Sequence, residues 1–256
     1  MESLMVSIIM PAYNAEKYIA DSIQSIQKQT YANWELLIVD DCSTDNTVAV
    51  VNKFIQLDSR IQLFQLQKNE GTGVARNTAL SKVTGRYIAF LDADDLWKPL
   101  KLENQIAFMQ SNKLPFTFSF YDCINDNGET LSKTIYSPKK LTYFQLFFCN
   151  YIGNLTAIYD ANYFGRLPIS NIRKRQDWML WLTILKKIKI AKPVPESLAF
   201  YRIRENALSS AKVNLLKYNF GVYRNFHKLN ILTASLCMIG FLFTQLIIKP
   251  FYIKKQ

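Results

Sequence analysis

The stretch MVSIIMPAYNAEKYIADSIQSIQKQTYANWELLIVDD, residues 5–41, sets the pattern from which the fold is predicted. Its apolar runs MVSIIMP and WELLIVD are short and continuous, which is typical of strands buried on both faces. Between them, Ile19, Ile23 and Ile26 recur at helical spacing, and Glu16 falls in the first turn, where an acid is favourable. The segment therefore predicts a strand, a helix and a second strand.

The same alternation continues through the first 98 residues. STDNTVAVVNKFI predicts a helix opened by a Ser/Thr/Asp cap, RIQLFQL a third strand, GVARNTALSKV a helix and RYIAFLD a fourth strand. Strands that alternate with helices indicate a mostly parallel sheet with helices on both faces. We therefore predict an α/β, Rossmann-like fold in which ligands bind beyond the carboxyl ends of the strands.

Polar residues follow three of these strands, as PAYN, DDCSTD and DADD. One such cluster is ordinary turn chemistry, but three at equivalent strand ends are expected to converge on one edge of the sheet. In the last, Asp92, Asp94 and Asp95 repel one another unless a cation neutralises them. Mg²⁺ or Mn²⁺ binds through one or two carboxylates plus substrate phosphates, so a metal-bridged diphosphate is predicted. Capping of the next helix is the alternative explanation for Asp95.

Composition restricts the class of protein. Hydrophobic residues make up 49% and charged residues 20% of the chain, which is close to the globular average. The four scattered cysteines form no CxxC pair and suit a reducing cytoplasm, and we expect no secretion signal at the start. The net charge is +11, and residues 201–256 carry nine Lys or Arg and one Glu, a net +8. This asymmetry predicts an anionic partner, although a merely soluble basic face is the alternative.

The apolar run at 231–248 lies within this basic tail. It has 18 residues, slightly fewer than the roughly 20 needed to span a bilayer. We favour an interfacial helix, with basic groups on anionic lipids and apolar side chains among the acyl chains. The basic stretch from Lys212 to Lys228 fits the same surface. A single spanning helix and a packing or oligomer helix are the alternatives.

Four motifs in order, VSIIMPAYN, VDDCSTD, NEGTGVARN and FLDADD, resemble the family 2 glycosyltransferases of the GT-A fold. Downstream, RKRQDWMLWL and YRIRENALSS resemble the acceptor half of bacterial members that build polysaccharides. The resemblance implies a GT-A domain over residues 1–210. Its nucleotide-sugar-binding half is 1–98 and its acceptor-binding half is 99–210, and a basic, apolar, membrane-associating helical tail follows at 211–256.

The resemblance also implies roles on the nucleotide side. Pro11, Ala12 and Tyr13 would line the nucleotide pocket, with Tyr13 near the uracil ring. Asp41 would accept the uracil N3–H, because a carboxylate suits an imide donor. Arg76 would hold the pocket by pairing with a carboxylate or phosphate.

Three acids are implied to perform the chemistry. Asp92 would contact ribose or metal, and Asp94 would be the principal ligand of a metal that stabilises the departing diphosphate. Asp177 would take the proton from the acceptor hydroxyl, and its place at the start of a helix would keep it ionised. An ordinary N-cap is the alternative explanation for Asp177.

This sequence departs from the family pattern at three positions. Cys42 stands where many relatives have Gly, and Gln176 stands where many have Glu before the catalytic Asp. Arg204 stands where a His is common, so histidine metal ligation is lost, and Arg202 and Arg204 would instead hold a diphosphate. The only histidine, His227, lies outside these motifs and is predicted to be a surface residue.

The predicted function is that of an inverting glycosyltransferase, which uses Mn²⁺ or Mg²⁺ and a UDP-sugar. It would transfer one hexose in β linkage to an undecaprenyl-diphosphate-linked saccharide for an O-antigen or capsule repeat. Its place would be cytoplasmic, peripheral on the inner face of the bacterial cytoplasmic membrane. The alternative is a non-catalytic nucleotide-sugar binder or membrane assembly protein. No nucleic-acid partner is predicted, because KYNFGVYRNFHK has no RNA-binding signature beside its basic and aromatic residues, and the oligomeric state is open.

Overall fold

The computed structural model describes residues 4–204 and 212–255, and within them a mixed sheet is flanked by helices. The strands are β1 Val6–Ala12, β2 Trp34–Asp40, β3 Ile61–Gln65, β4 Tyr87–Phe90, β5 Leu96–Trp97, β6 Phe116–Ile124, β7 Thr130–Ile135, β8 Leu141–Thr142, β9 Ile158–Asp160, β10 Ile190–Arg202 and β11 Ile253–Lys255. The helices are α1 Ile19–Gln27, α2 Thr47–Ile55, α3 Thr72–Lys82, α4 Lys101–Ser111, α5 Tyr143–Phe148, α6 Ala161–Phe164, α7 Gln176–Ile188, α8 Lys212–Gly221 and α9 Ile231–Phe243.

The parallel part of the sheet has the strand order β3-β2-β1-β4. These four strands and the helices between them are the elements predicted from the first part of the sequence. Beyond β4 the sheet continues through β9, β6, β7 and β11 in antiparallel pairs, while β10 runs parallel to β6. The α/β prediction is confirmed, but the sheet is mixed and not mostly parallel, because the strands beyond β4 pair mainly in antiparallel fashion.

Helices cover both faces of the parallel strands. All residues of β1 and β2 are buried, and successive side chains point to opposite faces. Ile9 and Leu37 belong to a core with α3, α5 and α7, whereas Ile8 and Leu36 belong to a core with α1, α2 and α4. A slip of one residue would exchange these faces, so burial fixes the strand register and the position of the polar residues that follow.

The C-terminal segment folds back onto this core. α9 buries Ala234 and Phe241, and the ring of Phe241 lies 5.9 Å from that of Trp178 on α7. The helical segment Ile231–Tyr252 is long and apolar enough to cross a membrane, with mean hydropathy 2.2, yet only 17% of its apolar window is buried. After it, β11 joins the sheet beside β7, a strand that the sequence did not predict.

His227 is not an open surface residue, so this prediction is wrong. Its half-buried ring lies 4.7 Å from Phe147 and 4.9 Å from Phe226, between ring centroids. Burial lowers the pKa of His227 below its ordinary value of 6.5. The residue therefore packs the tail against α5. Residues 205–210 of the YRIRENALSS motif lie outside the described residues.

Candidate active site

The predicted site residues line one cavity of about 830 Å³ at the carboxyl ends of β1, β2 and β4. They are Pro11, Ala12, Tyr13, Asp41, Arg76, Asp92, Asp94, Asp177, Arg202 and Arg204. The polar clusters that follow the three strands therefore converge on one edge of the sheet, together with residues from α3, α7 and the end of β10.

Asp41 is fixed at the cavity by the backbone. The N–H groups of Glu70 and Gly71 each donate to one of its carboxylate oxygens at 2.8 Å. Its own N–H donates to the carbonyl of Ala12 at 2.8 Å, which ties the end of β2 to the end of β1. Because a carboxylate oxygen has more than one lone pair, Asp41 keeps acceptor capacity for a ligand.

The turn after β2 places Cys42 in a backbone conformation that favours glycine. Cys42 has φ +63°, a left-handed conformation that favours glycine. Across the turn, Asp40 accepts hydrogen bonds from the backbone N–H of Ser43, at 3.0 Å, and from its hydroxyl. Asp40 therefore closes the turn. The residue at position 42 affects the turn through its backbone conformation.

A group of acids and arginines, which we term the carboxylate cluster, surrounds the loop after β4. Its members are Asp92, Asp94, Asp95, Arg76, Arg202 and Arg204. Arg76 donates to Asp92 at 2.6 Å, and Arg204 pairs with Asp94 at 3.0 Å. The backbone N–H of Arg202 donates to Asp95 at 2.9 Å. Each of the three carboxylates therefore has a partner within the protein.

Asp95 is not a helix cap, so the alternative explanation for this residue is wrong. α4 begins at Lys101, with Leu100 in the N-cap position. Asp95 is instead buried, and its bond to the N–H of Arg202 joins the loop after β4 to the end of β10. Sequence reasoning missed this role because the partner is a backbone group more than 100 residues away.

The electrostatics of the carboxylate cluster fit a bound cation. Burial raises the pKa of Asp94, Arg204 opposes this shift, and the charge of Asp92 adds to it. Burial, together with the charges of Asp94 and Asp92, raises the pKa of Asp95 well above its ordinary value. Burial is the main cause of both shifts, and a divalent ion at Asp92 and Asp94 would oppose them by stabilising the charged carboxylates. Among the described residues no group of three or more His, Cys, Asp or Glu forms a metal site, so waters or ligand phosphates would complete the coordination.

Arg202 and Arg204 differ in what remains free to contact a ligand. Arg202 is buried, and its guanidinium donates to the backbone carbonyls of Asp94, at 2.8 Å, and Asp126, at 3.0 Å. These bonds hold two loops together. Arg204 is partly exposed beside Asp94, so the predicted contact with a diphosphate is better supported for Arg204 than for Arg202.

Asp177 lies elsewhere in the cavity, in the first turn of α7. The N-cap of α7 is Arg175, so the interpretation of Asp177 as an N-cap is wrong. The side-chain amide of Asn150 donates to Asp177 Oδ2 at 2.8 Å and thereby orients the carboxylate. The carboxylate lies near the positive end of the dipole of α7.

Four basic residues near Asp177 also line the cavity, and we term them the basic cluster. They are Arg173, Lys174, Arg175 and Lys249. Lys249 donates to the backbone carbonyl of Asn150 at 2.9 Å, and Arg175 Nε donates to Asn219 at 2.6 Å. The family motifs did not assign these residues a function.

Arg76 connects the carboxylate cluster to the start of α7. One of its terminal nitrogens donates to Asp92, and the other donates to Gln176 Oε1 at 2.8 Å. Gln176 therefore acts as a neutral acceptor for Arg76. A Cβ at Gly73 would lie 2.7 Å from Gln176 Nε2 and 2.8 Å from the carbonyl of Ser170, so glycine permits the close approach of α3 to this region.

Comparison with known proteins identifies the class. Residues 7–169 match Glycosyl transferase family 2, and the chain belongs to that family. It is 41% identical to TuaG of Bacillus subtilis, named for teichuronic acid biosynthesis, over 93% of this chain and 94% of that protein. It is 43% identical to WfgD of Escherichia coli over 88% of each chain. WfgD is named as a UDP-Glc:α-D-GlcNAc-diphosphoundecaprenol β-1,3-glucosyltransferase.

A solved structure confirms the GT-A fold. S. aureus TarS, residues 1–349 with UDP-GlcNAc, has a TM-score of 0.70 to this chain at 22% identity. The similarity covers 96% of this chain and 73% of that one. Family, relatives and fold agree that the protein is a glycosyltransferase of polysaccharide biosynthesis.

Proposed function

We propose that the protein is a metal-dependent, inverting glycosyltransferase that moves one hexose from a UDP-sugar to a saccharide on an undecaprenyl diphosphate carrier. The observation that carries this proposal is the convergence of all ten predicted site residues on one cavity. The name of WfgD, whose acceptor is a diphosphoundecaprenol-linked sugar, supports the same class of acceptor here. The product would serve an O-antigen, capsule or related polysaccharide.

The UDP moiety would lie at the ends of β1 and β2. Asp41 would accept the uracil N3–H, since two backbone N–H groups already hold its carboxylate in place. Tyr13 lines the cavity with 50% of its surface exposed, which leaves its ring available to the base. Pro11 and Ala12 would form the floor beneath the nucleotide.

Asp92 and Asp94 would hold Mn²⁺ or Mg²⁺. When bound, the ion supplies positive charge that stabilises the departing nucleoside diphosphate. Arg204 would add charge-assisted hydrogen bonds to the same phosphates. Arg76 keeps Asp92 in position through its bond of 2.6 Å.

Asp177 would be the general base. It would take the proton of the acceptor hydroxyl while that oxygen attacks the anomeric carbon from the side opposite the diphosphate, which inverts the configuration. Asn150 donates to one carboxylate oxygen, Oδ2, which leaves Oδ1 to accept the proton.

The apolar tail would attach the protein to the inner face of the cytoplasmic membrane. Ile231, Leu232, Leu236, Ile239 and Phe243 are each more than half exposed on α9. The opposite side of α9 packs on the core, and β11 returns to the sheet, so both ends of the apolar segment stay with the domain. This arrangement supports a helix lying in the interface over a spanning helix. Nearby exposed basic residues, Arg224 and Lys228, complement anionic lipids.

The proposal is tested by UDP release from a panel of UDP-sugars, with Mn²⁺ and synthetic polyprenyl-diphosphate-linked sugars as acceptors. We expect turnover with a narrow set of donors, and losses of at least about 100-fold in Asp94→Ala and Asp177→Asn. Lys53→Ala, which removes an exposed charge on α2, is the control and should keep full activity. Full activity in both acid variants would reject the assignment. UDP binding without transfer to any acceptor would instead favour the non-catalytic alternative.

A further inference from the structure

The basic cluster has no part in the roles proposed for the donor and the metal. The acids after β4 pair with Arg76 and Arg204 of the carboxylate cluster. Within the described part of the chain, Arg173, Arg175 and Lys249 form no ion pair with an acid. Unpaired cations in a cavity favour an anionic ligand, so this group is suited to a second anion besides the donor diphosphate.

The backbone around Arg175 strengthens this preference for an anion. No side chain caps the N-terminus of α7, a helix of 13 residues, so its first N–H groups keep donor capacity. Asn219, itself buried, holds Arg175 Nε at 2.6 Å and leaves the terminal nitrogens of the guanidinium available.

Lys249 lies near both Asp177, the proposed general base, and exposed apolar residues of the tail. Its Nζ donates to the carbonyl of Asn150, whose side-chain amide holds Asp177. Immediately before Lys249, Leu246 and Ile247 are 67% and 55% exposed on the apolar segment of the tail. A ligand that joins an anionic head to an apolar chain would satisfy both surfaces at once.

We infer that Arg173, Arg175 and Lys249, with the first N–H groups of α7, bind the diphosphate of a polyprenyl-linked acceptor. The first isoprene units lie on Leu246 and Ile247. The inference rests on the proposed function and adds a second diphosphate site to it, separate from the site of the donor. The acceptor sugar then extends from this diphosphate towards Asp177.

The test uses calorimetry on the full chain, with farnesyl diphosphate below its micelle concentration and with UDP and Mn²⁺ saturating. We expect farnesyl diphosphate to bind while UDP is present. Arg173→Gln and Lys249→Gln should each weaken that binding about tenfold, because each removes a charge-assisted contact. Lys249→Arg keeps the charge and should largely restore it, and Lys53→Ala is the charge-matched control.

Two further probes separate the head group from the chain. Inorganic diphosphate should bind more weakly than farnesyl diphosphate and remain sensitive to Arg173→Gln and Lys249→Gln. Farnesol should bind weakly and show no difference between these variants and the wild type. Thermal unfolding and UDP affinity of each variant, both expected to match the wild type, establish that the variants are folded.

Several results would overturn the inference. The first is competition between farnesyl diphosphate and UDP, and the second is unchanged binding of farnesyl diphosphate in the variants. The third is an equal loss of UDP affinity in the variants, which would show that the basic residues bind the donor. Failure of the wild-type protein to bind UDP with Mn²⁺ would overturn the proposed function instead, so the two failures are distinguishable.

Discussion

The carboxylate cluster and the basic cluster share one cavity but satisfy their charges in different ways. In the first, Asp92 and Asp94 pair with Arg76 and Arg204 of the same cluster, so acids and arginines compensate one another. In the second, Arg175 donates to Asn219 and Lys249 to the carbonyl of Asn150, and neither forms an ion pair with an acid among the described residues. In our proposals the first cluster binds an anionic ligand together with a cation, whereas the second binds an anion directly.

The two clusters also differ in their supports. The members of the carboxylate cluster lie on α3, in the loop after β4 and at the end of β10. The basic cluster lies on the loop before α7 and in the last turn of the helical segment Ile231–Tyr252. Arg76, through Asp92 and Gln176, links the two, so its geometry couples the nucleotide side to the start of α7.

The largest expected effect distinguishes the nucleotide side of the cavity, with the carboxylate cluster, from the acceptor side around Asp177. Asp177→Asn should lower kcat for transfer by about 10³-fold, because the amide cannot accept the acceptor proton, while UDP affinity stays within twofold. Asn150→Ala keeps the carboxylate and should cost about tenfold. Steady-state transfer assays and calorimetry with UDP give the two quantities. A parallel loss of UDP affinity in Asp177→Asn would show that the division between the two sides is wrong.

The link between the clusters is tested by Arg76→Met. The substitution leaves Asp92 and Gln176 without their shared donor in a largely buried site, so the free energy of unfolding should fall by about 3 kcal/mol. Urea unfolding followed by circular dichroism measures it. Lys68→Ala, which breaks an exposed pair with Glu70, should change stability by less than about 1 kcal/mol. Equal effects of the two substitutions would contradict a special role for Arg76.

Lys101 differs from the basic residues of both clusters, because it is buried and does not line the cavity. It is fully buried, and its Nζ contacts Gln105 at 2.6 Å and the ring of Trp97 at 4.1 Å. Burial lowers its pKa well below 10.5. Lys101→Met should therefore raise the free energy of unfolding at pH 7 by about 2 kcal/mol.

The pH dependence of Lys101 follows from the same shift. Between the lowered pKa and 10.5 the unfolded chain binds more protons than the folded chain, so wild-type stability rises with pH through this window. The advantage of Lys101→Met should shrink accordingly in urea titrations at pH 7, 8 and 9. A constant difference between the two proteins would exclude titration of Lys101 as its cause.

The smallest effect is expected at the turn that holds Asp41. Cys42→Gly should raise the free energy of unfolding by up to about 1 kcal/mol, because glycine adopts φ +63° without strain. The greater flexibility of glycine in the unfolded chain offsets part of this gain. Thermal unfolding measures the change, and UDP affinity should not move. Lower UDP affinity would mean that the Cys42 side chain, and not only the backbone, contributes to the site.

The sequence predicted the parts of the molecule that depend on local patterns. The first two strands are continuous apolar runs, and the polar residues that follow β1, β2 and β4 converge because parallel strands share an edge. The roles of Asp95 and Lys249 were not predictable in this way. Their partners, the N–H of Arg202 and the carbonyl of Asn150, are backbone groups about 100 residues away, and no sequence motif identifies them.

The same limit applies to the tail. Its apolar composition indicated an exposed helix, and Ile231–Tyr252 is such a segment. The pairing of β11 with β7 and the ring contacts of His227 depend on how the tail docks, which composition does not encode. Contacts between residues far apart in the sequence therefore determine how the tail docks, and local sequence patterns do not predict them.

The most direct test of the central claim, that the carboxylate cluster binds a cation-bridged nucleotide, is calorimetry of UDP binding with and without Mn²⁺. We expect Mn²⁺ to tighten UDP binding at least about tenfold in the wild type and in Asp177→Asn, and to have no effect in Asp94→Ala. UDP affinity that is indifferent to Mn²⁺, or a manganese effect that survives Asp94→Ala, would contradict the account.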